Sequence, residues 1–267
     1  MRSLLGLIIL VFLLGQSFDS FGQKKKRKKF ENSFYDENAK PPNGFLVDFS
    51  YGVHLPFADM AENYIYNFSL GGKVQYILSN NLAFGLVGDF QFVDNDVRTD
   101  VLSSLRDPGG FIIDRFGELT DALLGQRGFF LGASVSYLIP VFKKYKRSGI
   151  EVRFEGGYQQ HWMRIEILGG EVFGLTGDYK NGYDRMTTGF AMRQYIGYRH
   201  LDKNRLLNFF GGFDIMEAFT RNRRGYNFDT RQADTKDRVD ILLGFRIGIT
   251  LPIYIYTPET QEDIRFY

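Results

Sequence analysis

Apolar and polar residues alternate along eight stretches of this chain. In 44–55, Phe45, Val47, Phe49, Tyr51, Val53 and Leu55 fall on one side, and Asp48, Ser50, Gly52 and His54 on the other. Successive side chains of a strand point to opposite faces, so the segment reads as a strand with one apolar and one polar face. The same pattern predicts strands over 66–78, 82–93, 128–139, 149–165, 187–200 and 206–220. A last strand carries Val239, Ile241, Leu243, Phe245, Ile247, Ile249 and Leu251 on its apolar side. Prolines fall in the connections or at strand ends, where a missing N–H breaks no central ladder.

The polar faces collect Asp48, Lys73, Asp89, Glu151, Arg153, Glu155, Arg193, Asp214, Asp240 and Arg246, with many glycines between them. The apolar faces carry large rings and branched aliphatics and almost no charge. Eight strands close around a lumen just wide enough for side chains. Mixed charges and glycine fill such a space as an ion-paired core; that much aromatic bulk does not, whereas lipid accepts it. The expected fold is all-β: an eight-stranded antiparallel up-and-down transmembrane β-barrel with a polar, side-chain-filled interior. A soluble lipocalin-like barrel, with the apolar face turned inward around a ligand, is the competing arrangement. The first, third, fifth and seventh connections are long and the others short. This asymmetry places long loops outside the cell and both termini in the periplasm.

Composition adds little to the fold and more to location. With 27 Phe, 16 Tyr, 30 Gly and one Trp, the chain favours strands and tight turns, and it has no Cys, so disulfides and thiolate metal sites are excluded. Residues 4–14 form an apolar run too short to span a bilayer as a helix but suited to the core of a secretory signal peptide. Small residues at Ser20 and Gly22 point to cleavage after Gly22. The domain plan is a signal peptide (1–22), a basic periplasmic arm (23–43), an outer-membrane barrel (44–256) and a periplasmic tail (257–267). A net charge of +2 gives no indication of nucleic acid as partner.

Candidate chemistry is sparse. The inward charges read as a structural plug rather than an ion path, because so narrow a barrel holds no water-filled channel. His54, His161 and His200 are the only histidines, and Gly-x-Ser-x-Gly is absent. Neither a catalytic set nor a metal or cofactor site emerges; a lipid-modifying enzyme built on His161 is the enzymatic alternative. The basic run Lys24, Lys25, Lys26, Arg27, Lys28 and Lys29, with Lys143 and Lys144 of the fourth connection, is suited to anionic headgroups or an acidic partner on the periplasmic side. Connection 94–126 is acidic, and 221–237 is basic through Arg221, Arg223 and Arg224. The two are expected either to pair across the mouth or to face a partner. Leu102, Leu105, Phe111, Ile112, Ile113, Phe116, Leu119, Leu123 and Leu124 make the former unusually apolar, so it folds back on the barrel or docks on another protein.

The leader ending Ser20-Phe21-Gly22-Gln23, the aromatic-rich strands and the last strand 244–256 resemble small outer-membrane β-barrels of the Bacteroidota. The segments 177–185 and Phe219-Thr220-Arg221-Asn222-Arg223-Arg224 are similar to accessory barrels of the type IX secretion and gliding machinery, of the PorD, PorG or PorT kind. That resemblance implies a non-enzymatic subunit without cofactors that holds protein partners at the outer membrane.

Overall fold

The computed structural model describes residues 41–94, 97–141, 146–201 and 208–255. Residues 1–22, expected to be a signal peptide, the run from Lys24 to Lys29, Lys143, Lys144 and the tail 257–267 lie outside the described residues.

Eight long strands form one closed antiparallel ring: β1 (Gly44–Ala58), β2 (Asn67–Ile77), β3 (Leu82–Asp94), β4 (Ala122–Pro140), β5 (Gly149–Ile167), β6 (Thr187–Leu201), β7 (Asn208–Asn222) and β8 (Asp237–Tyr254). Each strand pairs with its neighbours in sequence, and β1 closes on β8. Followed across the ladders, the register leaves β1 at Phe45 and passes through Tyr76, Phe84, Val135, Phe154, Gln194, Ile215 and Leu243. It returns to β1 at Leu55, so the shear is ten residues. For eight strands that shear corresponds to a tilt of about 40°.

The alternation in sequence becomes an inversion of the usual inside and outside. Phe49 and Leu86 are 52% and 71% exposed, whereas Asp48, Arg193 and Arg246 are each 2% exposed. The outer surface is a continuous apolar belt with Tyr51, Tyr137 and Tyr158 among its rings. A lipocalin-type barrel needs the opposite arrangement, so the fold is that of a membrane-spanning barrel.

Strand ends differ from the pattern at the long-loop side. β4 begins at Ala122, six residues before the predicted start, and pairs with β5 up to Ala122 opposite Ile167. Gly125 and Arg127 take outward positions there, so the apolar alternation fails where the ribbon rises above the belt. At 19 residues each, β4 and β5 exceed the roughly 9–11 residues needed to cross.

The long connections are structured. One helical turn (Asp59–Asn63) follows β1, and a ribbon pairs Ile112–Ile113 with Leu119–Thr120. Asp114 tightens that ribbon's turn by accepting from the N–H groups of Phe116 and Glu118, 2.8 Å each. Two 3-10 segments, Phe173–Leu175 and Gly177–Gly182, follow β5, and a second ribbon pairs Tyr226–Asn227 with Gln232–Ala233. Met60, Tyr64, Val101, Leu102, Ile112 and Tyr183 from these connections pack with Leu124, Met163 and Ile165 into one buried apolar cluster at the mouth. At the opposite end Leu46, Ile77, Ala83 and Leu201 make a smaller seal.

Candidate functional site

Between the two apolar seals the lumen is filled by ion pairs. Arg199 on β6 donates two bonds to the Asp48 carboxylate on β1, 2.8 Å each, and a third from Nε to Glu151 on β5, also 2.8 Å. Lys73 lies 3.2 Å from Asp48 and 3.4 Å from Glu151. The Thr250 hydroxyl donates to Asp48 at 2.6 Å, and Gln75 donates to Asp48 at 3.2 Å. One level higher, Arg246 contacts Asp89 at 3.0 Å and Asp214 at 3.2 Å, and Arg193 contacts Asp89 and, at 2.9 Å, Glu155. Arg153 Nε stands 2.8 Å from Glu155 but off the hydrogen-bond direction, so that contact is ionic only.

Five cations, Lys73, Arg153, Arg193, Arg199 and Arg246, therefore face five carboxylates, Asp48, Asp89, Glu151, Glu155 and Asp214, all buried. Unpaired, any one of them carries a desolvation cost of several kcal/mol; the balance is what lets them share a dry lumen. Three inward rings complete the packing. The Arg153 guanidinium sits 4.1 Å above Tyr195, Arg193 4.7 Å above Phe130 and Arg199 4.7 Å above Phe210.

Two of the three histidines, His54 and His161, sit at the upper edge of this network, whereas His200 lies at the other end of β6 beside Phe209. His54 Nε2 is 3.1 Å from Asp214. His161 Nε2 is 3.0 Å from Asp240 and 2.9 Å from the Thr187 hydroxyl, and Thr220 donates to Asp240 at 2.6 Å. Tyr64 meets the His161 ring edge-on from the mouth, and His161 and Asp240 are each 4% exposed. Asp240 thus joins His161 rather than the ten-residue network. No group of three metal-competent side chains occurs among the described residues.

At the mouth, the acidic and basic connections do not pair with each other among the described residues. Arg106 gathers Asp100, Asp121 and the Gly110 carbonyl, 2.7 Å each, inside the acidic segment. The hydrogen bond that Arg106 donates to Asp121 lifts its guanidinium above its usual range. Asp94 is held by Arg127 and Arg164 of β4 and β5. In the basic segment Arg221 pairs with Asp237 at 2.7 Å, Arg223 donates to Thr188, and Arg224 grips Asp184 through two bonds. Arg185 links Asn63, at 2.7 Å, to Asp229. Of the three arginines singled out by sequence, Arg224 and Arg223 therefore serve the cap, and Arg221 stands at its rim.

The apolar connection 94–126 divides in two. Leu102, Ile112 and Leu124 fold into the mouth cluster, while Phe111, Ile113, Phe116 and Leu119 remain exposed, Phe116 by 74%. Leu168, Phe173 (79%) and Tyr179 are also exposed. The two loops are tied together by Thr120 donating to the Gly169 carbonyl at 2.6 Å, by Leu168 N–H to Asp121 O at 2.8 Å, and by the Arg115–Glu171 ion pair. Beside them an open cavity of about 380 Å³ is lined by Arg164, Glu166, Leu175 and Lys180, among others.

Sequence reasoning missed Arg199, which donates four hydrogen bonds to Asp48, Glu151 and Thr250. It shares the parity of Arg193 on β6, so the inward series 193, 195, 197, 199 was the available signal. Tyr195, Phe130 and Phe210 were missed because an apolar ring on an inward position carries no polar mark.

No family model matches the sequence, and no curated protein matches it. Among solved structures the chain is similar to Ail, the attachment invasion locus protein of Yersinia pestis, in complex with the heparin analogue sucrose octasulfate, at 8% identity and a TM-score of 0.40, covering 78% of this chain and 98% of Ail. Neisserial surface protein A matches at 13% identity and a TM-score of 0.38, covering 78% of this chain and 99% of the other. The outer membrane protein OprG from Pseudomonas aeruginosa matches at 11% identity and a TM-score of 0.38, covering 82% and 99% respectively. At these identities the likeness concerns the fold alone.

Proposed function

We propose that the protein is an integral outer-membrane barrel without catalytic activity, acting as a scaffold or docking subunit through its extracellular loops. Outer-membrane lipid surrounds the belt, a protein of the envelope meets the loops, and both termini lie in the periplasm. The basic arm, with Lys143 and Lys144, adds a periplasmic contact to anionic headgroups or an acidic partner. Membership of a type IX-like secretion machine rests on the sequence resemblance of 177–185 and 219–224.

One observation carries the reading. The lumen is packed from the Leu46 seal to the Met60 cluster, while the loop tips leave Phe116 and Phe173 in solvent. A barrel so filled has no path for solutes, and contiguous exposed apolar side chains mark protein contact sites. Recovery of the tagged barrel from detergent-solubilised outer membranes tests it. A protein partner is expected with the wild type and is lost with Phe116→Ser combined with Phe173→Ser; recovery of the barrel alone from wild-type membranes overturns the reading.

The His161–Asp240–Thr187 contact favours a second reading, a lipid-modifying enzyme. It requires substrate to pass Tyr64, and loss of a lipid-modifying activity on His161→Ala is the result that would establish it.

A further inference from the structure

Two polar side chains of β6 and β7 stand on the outward face inside the apolar belt. On β7 the outward series is Phe209, Gly211, Phe213, Ile215, Glu217, Phe219 and Arg221; on β6 it includes Phe190, Met192, Gln194, Ile196 and Tyr198. Glu217 lies opposite Met192 on β6 and Ile241 on β8, and Gln194 lies opposite Phe154 on β5 and Ile215 on β7. The two are diagonal neighbours across the β6–β7 ladder, a separation of about 7 Å. Among the described residues neither takes part in a hydrogen bond or an ion pair.

Depth distinguishes Glu217 from the charges of the rim. Arg221, paired with Asp237, is four residues further along β7, which at the barrel's tilt places Glu217 about 10 Å deeper. Phe219 and Val239 lie between it and the rim. A carboxylate facing hydrocarbon is unfavourable, and an ionisable group at that position marks a functional contact. The lumen gives it no relief, since the five inward cations already face five inward carboxylates.

We infer that the β6–β7 face is a lateral contact surface for a second, different membrane-spanning protein, which brings a cationic or amide donor to Glu217 within the outer half of the bilayer. The Gln194 amide supplies a paired hydrogen bond nearer the midplane. Charge complementarity selects this occupant. Acyl chains offer no donor. A second copy, related by an axis along the membrane normal, presents its own Glu217 at the same depth and adds a like charge. The inference rests on the docking reading above and gives it an in-plane face separate from the loops.

A photo-reactive benzophenone side chain at position 192, between the two polar residues, tests it in outer membranes carrying the full-length protein, with position 86 on β3, across the ring, as control. The expected result is an adduct with another protein from position 192 and not from 86, mapping by mass spectrometry to a spanning segment that carries Lys, Arg, Asn or Gln. Its yield falls roughly tenfold with Glu217→Leu, the effect of one charge-assisted hydrogen bond, and survives Glu217→Asp. Heat-modifiable migration on gels verifies that each variant is folded. An adduct of twice the chain's mass, adducts with lipid alone, or a protein adduct indifferent to Glu217→Leu overturns the inference. Failure of the loop reading leaves the position-192 adduct in place, and failure of the lateral reading leaves loop-dependent recovery in place, so the two are told apart.

Discussion

Arg199 and Asp48 meet through two parallel 2.8 Å hydrogen bonds across the lumen, joining strands β6 and β1 that share no ladder. The same guanidinium reaches Glu151 on β5, so one side chain ties three parts of the ring together. Arg199→Met leaves Asp48 with Lys73, and Glu151 with Lys73 at 3.4 Å and the Arg153 guanidinium at 3.5 Å. Breaking a buried pair from one side costs about 3–5 kcal/mol. The urea midpoint of the barrel refolded in liposomes is expected to fall accordingly, and the double variant Arg199→Met with Asp48→Asn recovers part of the loss. A single variant as stable as the wild type would show that the network adds nothing to the ring.

Glycines 71 and 72 are adjacent and predict opposite outcomes. A Cβ on Gly71 points inward and meets Asp89 Oδ1 at 1.9 Å, Ser50 Oγ at 2.7 Å and Arg246 Nη1 at 3.0 Å. Gly71→Ala therefore displaces the Arg246–Asp89 contact and destabilises the barrel in the same urea experiment. A Cβ on Gly72 points outward and meets nothing within 4 Å. Gly72→Ala is neutral or stabilises by up to about 1 kcal/mol, through the unfolded chain. Equal effects at the two positions contradict the inward and outward assignment of β2.

The loop cap is expected to loosen in acid before the strands do. The hydrogen bond from Arg106, followed by the Ala122 N–H, holds the Asp121 carboxyl below the usual carboxylate range. Burial opposes the charge of Asp234, but the amide donors of Asn222 and Asn227, with the Arg238 guanidinium and the Lys236 N–H, together outweigh it and hold that carboxyl low as well. A group whose pKa is depressed on folding contributes stability above its unfolded value, about 3.9 for Asp, and that contribution is lost as pH falls through the folded value. Hydrogen exchange, corrected for intrinsic rates, should show amides near Asp121 and Asp234 opening below about pH 4 while the strand amides stay protected. Loop protection unchanged down to pH 2 would show that these carboxylates do not hold the cap.

The ring was legible in the sequence because a closed barrel with lipid outside imposes period-two alternation on every strand. Phe45 to Leu55 and Val239 to Leu251 carry that signal without interruption. It fails where the environment stops being two-sided. Gly125 and Arg127 lie above the belt, so the early start of β4 left no apolar mark. The lumen charges were legible one by one as inward parity, but their pairing was not, since Arg199 meets Asp48 across 151 residues of sequence. The split of connection 94–126 was also hidden: Ile112 and Ile113 are adjacent and identical, yet the first is 1% exposed and the second 54%. Only the ribbon that pairs Ile112 with Thr120 decides which of them faces the mouth.

Conductance separates a filled barrel from a pore. A solute entering from the loop side meets the cluster of Met60, Tyr64 and Leu102, then the ion-paired layers with Phe130 and Phe210 stacked on arginines, then Leu46, Ile77, Ala83 and Leu201. Each layer closes the lumen by itself, because eight strands leave room for side chains and little else. Purified protein in planar bilayers should therefore remain at baseline current. Leu46→Gly, which thins the seal at the short-turn end, should remain there too, since Arg199, Asp48 and Glu151 still bridge the lumen above it. Discrete steps from the wild type would mean that the ionic layers part in the membrane, and would turn the lumen from a plug into a path. Steps from Leu46→Gly alone would place the barrier at the seal and leave the charged layers permeable.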